Sequence, residues 1–591
     1  MAEQATSNLL QQKESAHAWA GQPAWRILAT RFDRGEHFLN TWRAWQCDPC
    51  RPRQLHYVAL ASAPPSVDDL MACAAACPDL LVLAKALAPH WHGLAPGFHR
   101  ITLAGGQILL TLCVGDLMAQ LREQQFLADS VYLDLQALDP GAPSPWNIWT
   151  VKALARCCRR GTGLVAMGDT SALCADLAQC GFELLSGQTE SLTDVADEPL
   201  CGQFNPRWAL RNTRSPVSGQ AAEVGTCAVV GAGLAGASVA CALAARSWQV
   251  QVLDQDDAPA AGASGLPVGL VVPHVSADDC ALSRLSRSGV RMMLQQAQER
   301  LNQGLDWAPT GTLERRVDGT PDLPDLWHAQ AAWIKPAQLV RAWLALPGIT
   351  FQGGARVVAL RRTGTQWELL DAVGQVLTRA DRVVLANACG AIPLLKTLQQ
   401  TQPELGVGVD QLPLMHGVRG QLSWAMHPGA PDAAFPPFPV NGAGSVIPVV
   451  PYTDASHEGN AWFVGSSFQP DYKPPSSDDK NHAANLGRLH RLLPALGSAL
   501  AGQFAEGSVH AWKNTRCVTS DRLPVVGPLC QADDASLWIC AGMGSRGLSF
   551  SVLCAELLAA NWGAEPLPVD AALAQSLYAL RARATAPVQY L

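Results

Sequence analysis

The stretch 227–265 opens C-A-V-V-G-A-G-L-A-G-A-S-V-A at Cys227 and closes V-L-D-Q-D-D-A-P-A-A-G-A-S-G at Gly265. A short β-branched run ends in Gly231, Gly233 and Gly236, an apolar helical run follows, and a second strand run, Val250 to Leu253, stops at Asp254. This pattern predicts a dinucleotide-binding βαβ unit. Gly231 permits the tight turn, Gly233 lets the backbone approach a pyrophosphate, and Gly236 lets the helix pack close to the strand. The helix N-terminus turns free N–H groups and the positive end of its dipole towards the phosphates. Asp254, about 20 residues on, is spaced to accept hydrogen bonds from a ribose hydroxyl. Residues 225–245 are also nearly uncharged over about the length of a bilayer crossing. Glycines at turn spacing, the lack of a basic flank and the lack of a second long apolar segment argue against a span, so no membrane partner is expected.

At 591 residues the chain is too long for one ordinary core, so two or more domains are expected. A composition 48% hydrophobic and 16% charged is that of a soluble globular protein. The N-terminal residues M-A-E-Q-A-T-S-N-L-L-Q-Q-K-E lack the basic segment and apolar core of a secretory signal, which makes the cytoplasm the expected compartment. Eighteen cysteines, scattered rather than framed as disulfide pairs, suit a reducing environment. Cys47 and Cys50 form a single C-x-x-C with no second pair at zinc-binding distance, so they are read as an incidental loop pair and no metal is expected. A net charge of −7 argues against bulk electrostatic capture of nucleic acid, but a local basic patch remains compatible with it.

Before residue 205, strand candidates at 55–60, 107–114, 131–133 and 163–167 alternate with helical stretches such as 67–84, the rhythm of an α/β domain with a mostly parallel sheet. Residues 205–224 lack an apolar period and contain Pro, Ser and Gly, the marks of a linker. The expected division is a Rossmann-like first domain over 1–210, a linker over 211–225, and a second domain over 226–591 opened by the nucleotide unit. The overall class is α/β.

Later segments resemble FAD enzymes of the D-amino-acid oxidase and glycine oxidase class. G-A-S-G-L-P-V-G-L-V-V-P at 262–273, with Gly262, Ser264, Gly265 and Gly269, resembles the turn that wraps the ribityl and pyrophosphate in that class. Residues 355–360 resemble its strand near the adenine, and V-V-L-A-N-A-C-G-A at 383–391 resembles its second phosphate-side turn. A closer likeness rests on N-T-R-C-V-T-S-D-R-L-P-V-V-G-P-L at 514–529, M-G-S-R-G-L-S-F-S-V-L-C-A-E-L-L-A-A at 543–560 and E-P-L-P-V-D at 565–570. These resemble the C-terminal half of the family of bifunctional enzymes that complete 5-methylaminomethyl-2-thiouridine at the tRNA wobble position, over most of 225–575.

The resemblance implies an FAD-dependent oxidoreductase with a mixed-sheet substrate subdomain, acting on the anticodon loop of tRNA. The wobble uridine's carboxymethylaminomethyl group is oxidised, glyoxylate leaves, an aminomethyl uridine remains, and molecular oxygen reoxidises the flavin. Such a substrate presents a carboxylate, and a planar guanidinium grips a carboxylate bidentately. Arg516 matches the position where the class places that arginine. Arg546, flanked by Gly544 and Gly547 in M-G-S-R-G, falls in the family segment beside the flavin ring, and Arg419, in V-R-G-Q, matches a further family segment. Asp521 is expected to brace the Arg516 loop rather than act as a base. His274 is near in sequence, but no motif marks it as a covalent flavin tether.

In the same family the first half is an S-adenosylmethionine-dependent methyltransferase. Its layout is visible in residues 26–45, the strand 55–60, Gly115-Asp116, Y-L-D at 132–134 and Trp149-Thr150. The family loop E-x-G-F-G-x-G-x-N-F is replaced by A-T-R-F-D-R-G-E-H-F over 29–38, with Arg31 and Asp33 in place of two glycines, and Ala61 stands where a ribose-binding acid is expected. Side chains there fill cofactor space and penalise positive-φ geometry. A methyltransferase fold without that activity is therefore expected, with K-A-L-A-R-C-C-R-R at 152–160 either a basic tRNA contact or a solvated helix face. Other readings stay open: both activities retained with S-adenosylmethionine in an altered loop, a free glycine or D-amino-acid oxidase, or a flavoprotein scaffold.

Overall fold

The computed structural model describes residues 18–135, 144–185, 199–209, 221–316, 324–427, 435–530 and 535–581. The chain forms two compact units, Met1–Ala222 with Ala560–Ala574, and Glu223–Ala559 with Gln575–Leu591. Most of the expected linker lies outside the described residues. The sequence groups 560–574 with the second domain, whereas the structure groups them with the first unit. The reason is a set of polar contacts inside that unit: Arg26 Nη2 donates to the Gly563 carbonyl at 2.8 Å, Arg100 Nη2 to the Pro566 carbonyl at 2.5 Å, and the Ala572 N–H to Glu123 Oε2 at 3.1 Å.

The first unit is built on an eight-stranded sheet in the order Gly97–Leu103, Ile108–Val114, Gln54–Ala61, Ala24–Ala29, Ala128–Asp134, Cys158–Met167, Leu200–Phe204, Phe182–Leu184. The inner five strands are parallel and the outer ones antiparallel. Gln54–Ala61 is buried at every position, as a central parallel strand covered on both faces must be. The single helix expected over 67–84 is two, Val67–Ala74 and Pro78–Leu87. Pro78 has no N–H to continue the first helix and sits at the start of the second, where none is needed.

In the second unit, a six-stranded sheet runs Ile349–Gln352, Gln249–Leu253, Thr226–Val230, Arg382–Leu385, Leu537–Ala541, Val525–Pro528, parallel except for the last pair. The nucleotide unit therefore lies at its centre, with Val229 paired to Val252 on one side and Val384 on the other. A second, mixed sheet joins Leu326–His328, Thr312–Glu314, Val440–Gly442, Gly444–Thr453, Glu458–Gly465 and Met415–Met426. His510–Thr519 pairs along Met415–Met426 from Met415↔Thr519 to Trp424↔His510, and this register sets Arg516 opposite Val418.

Candidate active site

The strand Thr226–Val230 ends at Gly231, whose φ is 107°, and the chain enters the helix Leu234–Ala244 through Gly233. A Cβ on Gly231 would lie 2.8 Å from the Ala386 carbonyl oxygen, so this turn needs glycine for both its conformation and its closeness to the neighbouring strand. A Cβ on Gly236 would overlap the Gly231 carbonyl, which makes Gly236 a packing residue that does not line the cavity. Asp254 Oδ2 accepts the Ala232 N–H at 2.6 Å and Oδ1 the Asp256 N–H at 3.1 Å. The carboxylate thus fixes the turn as well as facing the cavity, with lone pairs left for a ribose hydroxyl. Ser264 Oγ accepts the Leu234 N–H at 2.9 Å, tying the 262–265 turn to the helix N-terminus.

These residues line one end of a cavity of about 1030 Å³, together with Gly262, Gly269 and residues 355–358, 386–388 and 541–549. Its size is at the top of the range for small-molecule sites, about 300–1,000 Å³, as a dinucleotide with a substrate demands. The glycine turn, the helix N-terminus behind it and the acid after the second strand fit FAD. Gly265 departs from its expected place. It is absent from the cavity wall, and a Cβ there would lie 2.6 Å from the Ala260 carbonyl, so it closes the turn rather than touching a cofactor.

The other end is cationic. Arg516 lines the cavity, its Nη1 donating to Ser466 Oγ at 3.4 Å and its Nη2 to the Ser467 carbonyl at 3.2 Å, with the guanidinium carbon 4.4 Å from the centre of the Phe468 ring. Burial pushes its pKa down to about 10, which leaves it charged at neutral pH. Among the described residues no carboxylate forms an ion pair with it. Arg546, just before the helix Gly547–Gly563, also lines the cavity, and burial lowers its pKa while Glu314 opposes the shift. Glu314 accepts from His328 Nε2 at 2.7 Å, a bond that holds its carboxyl below the usual range.

Arg419 is not brought to the cavity. Its Nη1 donates to the Lys473 carbonyl at 2.7 Å and its Nη2 to the Asp471 carbonyl at 2.6 Å, because it points off the strand face opposite to its neighbour Gly420, which does line the cavity. The V-R-G-Q segment matters to the site through Gly420, where a Cβ would lie 2.9 Å from the Arg516 guanidinium carbon. Asp521 pairs with Arg581, through Nε at 2.8 Å and Nη2 at 2.9 Å, and so braces the turn after the Arg516 strand. Sequence reasoning missed Glu314, Ser466, Ser467, Phe468 and Gly420. Glu314 lies on the strand Thr312–Glu314, Gly420 on Met415–Met426, and Ser466, Ser467 and Phe468 in the connection that follows Glu458–Gly465, and only the sheet register gathers these three places. His274, left without a role by the sequence, lines the cavity with its pKa lowered by burial and by Arg546.

In the first unit, the turn after Ala24–Ala29 leads through Asp33, at φ 49°, and Gly35, at φ 84°, into the helix Glu36–Cys47. Arg31 Nη2 lies 3.1 Å from Asp33 Oδ1 and its Nη1 lies 3.6 Å from Asp134 Oδ2, while Phe32 stacks on Trp91 with centroids 5.1 Å apart. The turn is thus filled by its own side chains, and the strand-end Asp134 is paired internally. Asp116 caps the helix Leu117–Arg122 by accepting the Ala119 N–H at 2.8 Å. These residues do not fit S-adenosylmethionine. The cations of 152–160 are divided: Lys152 lies over Trp149 on the helix Ile148–Ala155, while Arg159 pairs with Asp129 and Arg160 with Asn205 from the strand Cys158–Met167.

No helix among the described residues is long and apolar enough to cross a membrane, and no three metal-ligating side chains cluster there. An FAD dependent oxidoreductase family model matches residues 226–319 and 313–561, and an S-adenosyl-L-methionine-dependent methyltransferase model matches 78–191. Relatives named "tRNA 5-methylaminomethyl-2-thiouridine biosynthesis bifunctional protein" match along nearly the whole chain. One from Albidiferax ferrireducens is 63% identical over 98% of this chain and 97% of its own, and one from Polaromonas sp. is 45% identical over 95% and 91%. A more distant one from Cupriavidus necator is 32% identical over 95% and 90%. With both units matched in order over that length, the chain belongs to the family of tRNA 5-methylaminomethyl-2-thiouridine biosynthesis bifunctional proteins.

Proposed function

We propose that the second unit removes the carboxymethyl group from 5-carboxymethylaminomethyl uridine, with or without sulfur at position two, at the wobble position of tRNA in the cytoplasm. The observation that carries this reading is the half-buried Arg516 guanidinium, with no carboxylate partner among the described residues, at the far end of a dinucleotide cavity. Bound FAD supplies a two-electron acceptor that oxygen regenerates. The Gly231–Leu234 turn holds its pyrophosphate and Asp254 its ribose. Arg516 grips the substrate carboxylate, which places the adjacent methylene towards the ring side of the cavity. Arg546 adds positive charge there, and Glu314, tied to His328, limits that charge. Loss of a hydride from the methylene beside the carboxylate and of the amine proton to solvent gives an imine, which water splits into glyoxylate and the aminomethyl uridine.

The first unit, on this proposal, transfers no methyl group, because Arg31 occupies the turn and neutralises Asp33 and Asp134. The names of the relatives favour a second reading, in which both activities are kept. Purified flavoprotein given tRNA with 5-carboxymethylaminomethyl uridine, with and without S-adenosylmethionine, separates them by nucleoside mass spectrometry. Aminomethyl uridine under both conditions is expected. Methylaminomethyl uridine appearing with S-adenosylmethionine establishes the second reading, and unchanged tRNA with peroxide formed from free glycine replaces both by an amino-acid oxidase.

A further inference from the structure

Phe468 is 59% exposed yet lines the flavin cavity. Its exposure is not that of a loose loop. Ser467 and Gln421 exchange two hydrogen bonds, each at 3.0 Å, Asp471 and Gly417 exchange two more at 3.0 and 3.1 Å, and Arg419 clamps the Asp471 and Lys473 carbonyls. One side of the ring faces the Arg516 guanidinium at 4.4 Å. A large apolar side chain held at a cavity mouth forgoes the gain of burial, and with a second exposed aromatic on the same loop it forms a surface suited to a partner. Tyr472, 72% exposed on the same loop, and the neighbouring Lys473 extend it.

We propose that Phe468 is the platform on which the pyrimidine ring of the substrate nucleotide stacks, making it a specificity-determining residue for RNA over free amino acids. This inference rests on the oxidation of a wobble uridine proposed above. Single-stranded bases are recognised by stacking on aromatic rings. The geometry suits the linkage: four bonds join the uridine ring to the carboxylate carbon, a reach of about 5 Å when extended. A carboxylate on Arg516 therefore brings the base alongside the Phe468 ring. Arg419 acts as a positioning residue, fastening the loop that presents Phe468.

The experiment is anaerobic flavin reduction by the full-length flavoprotein, with tRNA bearing 5-carboxymethylaminomethyl uridine and with N-methylglycine, which has the amine and carboxylate but no base. Stacking of one base is worth about 1–3 kcal/mol, so Phe468→Ala is expected to raise the half-saturating tRNA concentration about tenfold or more. Phe468 also backs the Arg516 guanidinium, so half-saturation by N-methylglycine rises as well, but about tenfold less than that by tRNA, the difference being the lost stack. Phe468→Trp restores tRNA binding, and both variants keep the wild-type flavin spectrum. Unchanged half-saturation by tRNA in Phe468→Ala overturns the proposal. So does equal weakening towards tRNA and N-methylglycine, which would make Phe468 only a support for Arg516. Wild-type protein reduced by N-methylglycine but not by tRNA removes the RNA reading itself, and this inference with it.

Discussion

A single hydrogen at Gly420 leaves room for the Arg516 guanidinium to lie across the neighbouring strand. Its φ is not in the left-handed region, so alanine there introduces volume without backbone strain. The added methyl pushes the guanidinium off Ser466 and Ser467, and a charged hydrogen-bonded contact is worth about 1.5–3 kcal/mol. Gly420→Ala is therefore expected to raise the half-saturating substrate concentration about 10- to 100-fold while the flavin stays bound, as measured by flavin reduction and by absorbance. Arg516→Lys keeps the charge and loses the planar fork, and a loss of similar size is expected from it. At Asp521, burial alone would raise the carboxyl pKa, but the Arg581 guanidinium more than reverses this and holds it below the usual range. A folded pKa below the unfolded one gives stability that is complete above the unfolded value, about 3.9, and is lost as pH falls through the folded value. Asp521→Asn should cost about 1–3 kcal/mol near neutral pH in urea unfolding. The gap from wild type should close below about pH 4, and a gap independent of pH would show that the pair contributes nothing through its charge.

At the scale of elements, the helix Leu234–Ala244 owes its place over the strand Thr226–Val230 to Gly236. Gly236→Ala must lift the helix off the Gly231 carbonyl, and the N-terminus that faces the pyrophosphate moves with it. The variant is expected to purify with little or no flavin, read as the ratio of flavin to protein absorbance, and full flavin content would refute the packing role. This element was legible in the sequence because its parts lie within forty consecutive residues, and glycine spacing encodes a local backbone path. The substrate end was legible only at Arg516 and Arg546, where the family likeness reached it. Glu314, Gly420 and Phe468 come from three strands or their ends, and nothing local in their sequences states which strands pair. Periodicity likewise joined Val67–Ala74 to Pro78–Leu87, since both helices continue one apolar pattern and only the missing N–H of Pro78 separates them.

The two units differ in how completely each keeps a cofactor's space open. In the second, glycines such as Gly231, Gly233, Gly262 and Gly420 stand in the cavity wall, and among the described residues the guanidinium at its end has no carboxylate partner. In the first, Arg31 and Asp33 stand where the family loop has glycines, and Arg31 pairs with Asp33 and Asp134 across the turn. The grouping of 560–574 with that unit was invisible in the sequence for the same reason as the substrate end: its partners Arg26, Arg100 and Glu123 are more than 400 residues away along the chain. The proposal that the first unit keeps its fold without its ligand site makes a thermodynamic prediction. A ligand that binds only the native state stabilises it by RT ln(1 + [L]/Kd), about 2.7 kcal/mol at a hundredfold excess over Kd. Calorimetric scans of the flavoprotein with increasing S-adenosylmethionine are expected to leave every unfolding transition unmoved, while scans with added FAD shift the transition of the second unit. A shift that grows with S-adenosylmethionine concentration would mean that Arg31 swings clear of Asp134 at little cost, and the first unit would then be a working methyltransferase with a self-closed resting state.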